Sequence, residues 1–385
     1  MPPFILYGMP HSLYSGKARA YLIKQNINFK EVTAGHPDYM NNVMPKIGRW
    51  IIPVLQTPDG ELVQDGSDII NWFEGRKLAR LPAYPATARQ LLVALIFELF
   101  GGEGLLRPAM HYRWNFDPEN KDFIEDQFGL FRMPTMTKPE RAEIVEKSTS
   151  RMRAAGVMFG VTEETIPAIE AAYEEFLRLL DAHFSVYPYL LGGVPTIGDY
   201  GLIASLYAHL GRDPHPASLM KRIAPAVFRW TERMNAANAD IPEFIDTAEE
   251  ILTDDFIPDS LKPILSLIAR DYLPEIEAFV GFTNNWLTGQ PDLGSGDTVG
   301  GDAKARAIGS CTFTWSGHEL TVGVLPYRIY LLQKIQDAFD RCETQEKDKI
   351  EILLAETGLE PLLTIRCTRR VERRDNREIW GEENR

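Results

Sequence analysis

Residues 11–15 read His-Ser-Leu-Tyr-Ser and follow a short apolar run, Phe-Ile-Leu-Tyr at 4–7. An imidazole (His11), two alcohols (Ser12, Ser15) and a phenol (Tyr14) thus gather where a strand gives way to a helix-forming segment. A serine at such a place can accept a backbone N–H and cap the first turn. It can also donate its own O–H to an anion drawn by the positive end of the helix. The same choice recurs at Asp65-Gly66-Ser67, which precedes a second helix-forming run. A third feature is Ile52-Pro53, a proline inside the apolar run IIPVLQ. Proline removes a ladder donor, so Pro53 must stand at a strand start or a bend, and a cis bond there is open to an X–Pro pair.

The elements that hold these residues can be read from pattern. Residues 4–7 and 29–33 are apolar strands separated by a helix-like run at 17–26, with Ala18, Tyr21 and Leu22 on one face. IIPVLQ and ELVQ flank a Thr-Pro-Asp-Gly turn and predict an antiparallel hairpin. SDIINWFEG predicts a closing helix. A parallel crossover followed by a hairpin makes a four-stranded mixed sheet over residues 1–76. The texture then turns helical over 77–250. Ile169, Tyr173, Phe176 and Leu180 form one stripe, and Thr196 with Asp199 begins the helix of Tyr200 to Leu210 as a capping box with Asp in place of Glu. From 251 to 385 the pattern is mostly helix. Ile264 to Phe279 and Tyr327 to Phe339 read as helices, with an alternating hairpin at 311–324 between them.

Composition narrows the function. The chain has 385 residues and a net charge of −13, which disfavours nucleic acid and anionic membranes as partners. The last twenty residues carry seven arginines against five acids and are expected to form a solvated, salt-bridged end. Three scattered cysteines form neither a disulfide framework nor a zinc site and suit a reducing compartment. No signal peptide or apolar membrane span is read, so a cytoplasmic location is expected. The seven histidines show no metal-binding spacing. The Gly-rich stretch 294–301 lacks both nucleotide-loop patterns and is expected to be a mobile surface loop.

The order β-α-β-β-β-α with Pro53, the segments SLYSGKAR, IIPVL and QDGSDIINWFE, and the later PTIGDYGLIASL together resemble the cytosolic glutathione transferase family over roughly residues 4–250. The resemblance implies an α+β thioredoxin-like domain, then an all-α domain, here with an added extension that is mostly helical and contains a hairpin. It implies glutathione as co-substrate, no metal, an electrophilic small molecule as second substrate, and a homodimer. Ser12 matches the catalytic position, with Tyr14 and Ser15 as competing donors. A free thiol of pKa near 8.5 is only a few per cent ionised at neutral pH, and a hydrogen bond to the charged form, about 1.5–3 kcal/mol, shifts that balance by one or two units. With serine and no cysteine at 12 and 15, a mixed disulfide cannot form there; activation of bound glutathione as a nucleophile is favoured instead.

The resemblance also places the remaining contacts. The Ile52 backbone beside Pro53 would pair with the cysteinyl group, and Asp65, Gly66 and Ser67 would hold the γ-glutamyl end. The chain departs from the family pattern here, because Gly66 stands where serine is usual. His11 and the cluster His111, Tyr112, Arg113 and Trp114 are candidates for the electrophile side, with Arg113 suited to a carboxylate or sulfonate. The expected activity is glutathione conjugation, or cleavage of an ether or halide. The alternative is a non-catalytic binding or assembly module that keeps the fold. The extension is expected to pack over the body and wall off the cleft, or to form a partner surface.

Overall fold

The computed structural model describes residues 2–301 and 306–384. The part of the Gly-rich stretch at 302–305 lies outside the described residues. The first region contains β1 (Phe4–Tyr7), α1 (Leu13–Lys24), β2 (Phe29–Val32), α2 (Met44–Ile47), β3 (Val54–Gln56), β4 (Leu62–Val63) and α3 (Gly66–Gly75). The sheet order is β2-β1-β3-β4, with β1 parallel to β2 and antiparallel to β3. Side chains alternate across a strand. Leu6 and its partner Leu55 therefore point to one face, against Ala18, Tyr21 and Leu22 of α1 and Ile69, Ile70 and Phe73 of α3. Tyr7 and its partner Val54 point to the other, where Tyr39, Val43, Ile47 and Phe131 cover them. Both faces are thus covered where β1 meets β3, which is why β1 is apolar throughout.

The helical region comprises α4 (Ala88–Leu99), α5 (Leu106–Trp114), α6 (Asp117–Arg132), α7 (Lys138–Ala154), α8 (Ile166–Phe184), α9 (Ile197–Ala208), α10 (Pro214–Ile223) and α11 (Pro225–Met234). The start of α9 is a complete capping box: Asp199 accepts from the Thr196 N–H at 2.9 Å and the Thr196 hydroxyl at 3.0 Å. Its other oxygen accepts from Leu190 N–H and Trp230 Nε1, and burial pushes the Asp199 carboxyl up to about 6. Two glycines bring α9 against the end of α4. A methyl on Gly201 would meet the Glu98 Cα, and one on Gly101 would meet the Gly201–Leu202 backbone. This close approach seats α4, and with it Glu98, directly behind α1.

The third region holds α12 (Lys262–Thr288), β5 (Ser310–Trp315), β6 (His318–Gly323), α13 (Tyr327–Asp340), α14 (Thr344–Thr357), α15 (Pro361–Thr364), β7 (Arg369–Arg374) and β8 (Arg377–Glu383). It packs over the body, and one continuous core runs from Leu6 through Phe97 and Leu332 to Trp380. Two sequence expectations are corrected here. The arginine-rich end is salt-bridged, as through Arg370 and Asp337, but it is not simply solvated: it folds as a hairpin, β7–β8, turning through Asp375 and Asn376, both at positive φ. The described part of the Gly-rich stretch lies along β8: Gly296 donates to the Trp380 carbonyl at 2.7 Å, Trp380 N–H to Asp297 at 2.8 Å and Val299 to Glu378 at 3.0 Å. The paired backbone and the buried Val299 replace the expected mobile loop.

Candidate functional site

Strand register decides what meets at the edge of the first sheet. Tyr7 pairs with Val54 and Leu55 with Val63. Because β3 runs antiparallel to both β1 and β4, the end of β1, the start of β3 and the end of β4 share one edge. Residues 8–12, 51–53 and 64–67 therefore converge, which is the grouping the sequence motifs require.

At one end of this groove Ser12 is the N-cap of α1, and its Oγ accepts the Ser15 N–H at 3.4 Å. That bond is long and weak. Ser12 is half-buried, and among the described residues its own O–H has no acceptor. Across from it the Ile52–Pro53 peptide is cis, and among the described residues nothing hydrogen-bonds to the Ile52 backbone. Ser15 is fully buried, its Oγ without a partner among the described residues. Tyr14 donates to Glu103 Oε1 at 3.3 Å. Burial first, then the Glu103 carboxylate, push the phenol well above its usual range. His11 is buried against Phe128 and Phe131, and burial, with Arg113 next to it, holds its imidazole neutral well below the usual histidine range. Of the three candidate hydroxyls, Ser12 alone combines exposure with an uncommitted proton. The chain's own thiols are poor nucleophiles, since burial pushes Cys311 and Cys367 up to about 11. A reactive sulfur would have to be brought in. Among the described residues no cluster of His, Cys, Asp or Glu is suited to a metal ion.

The other end of the groove is filled from the C-terminal hairpin. Asp65 caps α3 through the Ser67 N–H at 2.9 Å and the Asp68 N–H at 3.1 Å, and its carboxylate lies 3.6 Å from Arg373 Nη1. Burial opposes the charge, but Arg373 and the helix N–H groups outweigh it, so Asp65 stays below the usual carboxylate range. Arg373 also donates to Asp68 at 2.7 Å, to Glu378 at 2.7 Å and to the Gln64 carbonyl at 2.6 Å. Asn376 accepts the Gln64 N–H at 2.8 Å and donates to the Leu62 carbonyl at 3.4 Å. One amide thus stands in for a fifth strand along the open edge of β4. The Ser67 hydroxyl is wholly buried. It accepts from Lys17 Nζ at 2.8 Å, donates to Glu98 at 2.9 Å and is approached by the Tyr327 hydroxyl at 3.3 Å. Gly66 sits over α1, where a methyl would press on Lys17 Cδ at 3.3 Å and the Tyr14 carbonyl at 3.4 Å.

The groove lies in a segment with a known counterpart. Residues 6–79 match the glutathione S-transferase N-terminal domain. None of the curated proteins matches the chain. Among solved structures, the chain is similar to a glutathione transferase from Phanerochaete chrysosporium at 15% identity and a TM-score of 0.42, covering 61% of this chain and 96% of that one. It is similar to the beta-etherase LigF from Sphingobium sp. strain SYK-6 at 16% identity and 0.43, covering 64% and 99%. A third is a glutathione S-transferase from Methylobacterium radiotolerans, in complex with glutathione sulfonate, at 18% identity and 0.36, covering 66% and 97%. The described extension lies beyond the matched transferase domain and supplies the residues that fill its groove.

The four aromatic and basic residues expected beside the transferase domain are buried in α5. Arg113 makes a two-pronged bond to Asp213, at 2.7 and 2.9 Å, and donates to the His11 carbonyl at 3.0 Å and the Ala208 carbonyl at 2.8 Å. Both ends of its guanidinium are engaged inside the protein. His111 meets Glu170 at 3.0 Å, Tyr112 stacks on Phe116 at 5.5 Å, and Trp114 is buried with its Nε1 unpartnered among the described residues. None of the four lines the apolar pocket of this region, whose walls include Phe100, Leu105, Tyr173, Leu267 and Trp315.

Several residues that shape the groove were not among the candidates. Lys17 and Lys334 flank Glu98, each at 2.6 Å. Arg328 donates to Glu103 at 3.1 Å and pairs with Glu275, which also holds Arg107 at 2.6 Å. The available signal was a charge inside an apolar stripe: Glu98 within LLVALIFELF, Lys17 at helical spacing from Leu13 and Tyr21, Arg328 within PYRIYLL. A charge at such a position has to meet a buried partner.

Proposed function

We propose that the chain is an enzyme of the glutathione transferase type, which binds the cysteinyl portion of glutathione along Ile52 and stabilises its thiolate with the Ser12 hydroxyl. The observation that carries this reading is the half-buried Ser12 O–H at the N-terminus of α1, across the groove from the Ile52 backbone, the O–H without an acceptor and the backbone without a hydrogen-bond partner among the described residues. An extended peptide can add to that backbone as a strand does. The O–H and the helix end both favour the anion, and the thiolate sulfur then bonds to an electrophilic carbon while the leaving group departs with its electron pair. An apolar or aromatic electrophile and a paired, cytoplasmic enzyme belong to the same proposal. Among the described residues no helix is long and apolar enough to cross a membrane.

The test is the thiolate absorbance of bound glutathione and the rate of conjugation to a chlorodinitrobenzene probe, in the parent chain and in Ser12→Ala. The substitution should lower kcat/KM at least tenfold and raise the apparent thiol pKa by one or two units. Stability should fall by about 1 kcal/mol at most, the usual scale of one lost cap. Unchanged rates in Ser12→Ala would sink the assignment. A second reading, a non-catalytic module that keeps the fold, is favoured by one observation: Arg373 and Asn376 occupy the groove beside Asp65. That reading requires that no thiolate form in the parent chain.

A further inference from the structure

The C-terminal hairpin is a fixed wall of the groove rather than a lid. Val371 and Trp380 are buried in the main core, and the Trp380 ring stacks on Trp286 at 5.6 Å. Arg49 reaches up from beside α2 to Glu378 at 3.2 Å and to Gln64 at 3.1 Å. Lifting the hairpin would expose Trp380 and part Arg373 from Asp68 and Glu378 from Arg49, so the closed arrangement is the one a ligand meets. Among the described residues no such filling occurs at the cysteinyl end, where Ser12 and Ile52 are half-buried.

From this contrast we infer that Arg373 and Asn376 are specificity-determining residues, which take the seat of a γ-glutamyl arm and leave the site to read only the cysteinyl and glycyl parts of its thiol. The inference rests on the transferase reading above, which assigns Asp65–Ser67 to that arm. Three features carry it. Asp65, the acid an arm's ammonium would need, already faces a guanidinium. The Gln64 N–H and carbonyl, which an arm lying along β4 would use, are bonded to Asn376 and Arg373. The Ser67 hydroxyl and N–H are both committed within the protein. The Gln64 backbone, Asp65 and the Ser67 hydroxyl are thus already paired within the protein, and glutathione must direct that arm to solvent. A built seat offers an arm several charge-assisted bonds, whereas an arm left in water adds nothing to affinity.

The experiment is calorimetric titration of the full chain with glutathione, cysteinylglycine and γ-glutamylcysteine in the reduced state at neutral pH. Glutathione and cysteinylglycine should bind within threefold of one another, and γ-glutamylcysteine should bind at least tenfold more weakly than either. Glutathione binding more than threefold tighter than cysteinylglycine would overturn the inference and leave the transferase reading standing. Binding of none of the three overturns both. In Asn376→Gly, which keeps the positive φ while freeing the Gln64 N–H, the ratio of glutathione to cysteinylglycine affinity should rise above its parent value. A ratio that stays put, in a variant whose melting curve matches the parent, removes Asn376 from the assignment.

Discussion

Arg113 shows how residue type and residue role separate. Its position among aromatics suggests an anion holder, yet its guanidinium is spent on Asp213 and two backbone carbonyls. Arg113→Met should cost about 3–5 kcal/mol, because it leaves the fully buried Asp213 without its counter-charge. The loss should appear in urea unfolding, while the KM for anionic and neutral electrophiles should change alike. A substrate anchor would instead raise KM for the anionic one alone. The same separation explains what the sequence could reveal of the site. Ser12, Ile52 and Asp65 were legible because each sits at a chain reversal, where local backbone needs restrict the residue types. Lys17, Glu98 and Arg373 were not assigned, because a buried charge announces only that a partner exists. Which partner it meets depends on contacts as remote as those of Arg373, on β7, with Asp68 on α3.

Among the elements, the first sheet and the helix stripes were readable from period alone, whereas the closing hairpin was not. Its strand RRVERR has a single apolar residue, the buried Val371, while the inward Arg373 is charged and meets Gln64 and Asp68 on the first region, so the pattern looks solvated. The turn carries Asp375 and Asn376 at φ of 50° and 63°, a two-residue turn of the kind hairpins favour, without the glycine that usually marks it. Trp380 is the apolar anchor of this element, fully buried and stacked on Trp286. Trp380→Ala should therefore destabilise the protein by about 3–5 kcal/mol. It should also raise protease sensitivity near residues 366–384 before the rest of the chain, as limited proteolysis with mass mapping would show. Uniform loss across the whole chain would mean that the hairpin does not open as a unit.

At the scale of the whole molecule, the three regions are joined by charge as well as by core. Glu98 on α4 binds Lys17 of the first region and Lys334 of the third. Burial disfavours its charge, but the two ammonium groups outweigh this and hold the carboxyl at about 2. Unfolded, it would take its proton near 4.5. Between these values the unfolded chain binds more protons than the folded one, so stability from this joint is complete above pH 4.5 and disappears as pH falls toward 2. The difference amounts to about 3 kcal/mol. Lys24 acts in a different window. Burial lowers its ammonium from 10.5 to about 7, against the pull of Asp240, while Nζ donates to the Asn238 carbonyl at 2.7 Å. Above pH 7 the folded chain has released a proton that the unfolded chain still holds, so this contribution rises from pH 7 toward 10.5. Urea midpoints measured across pH should thus fall steeply on the acid side and climb on the alkaline side. Glu98→Gln should flatten the first limb and Lys24→Met the second. An acid limb that keeps its slope in Glu98→Gln would mean that other carboxylates, not this joint, hold the three regions together.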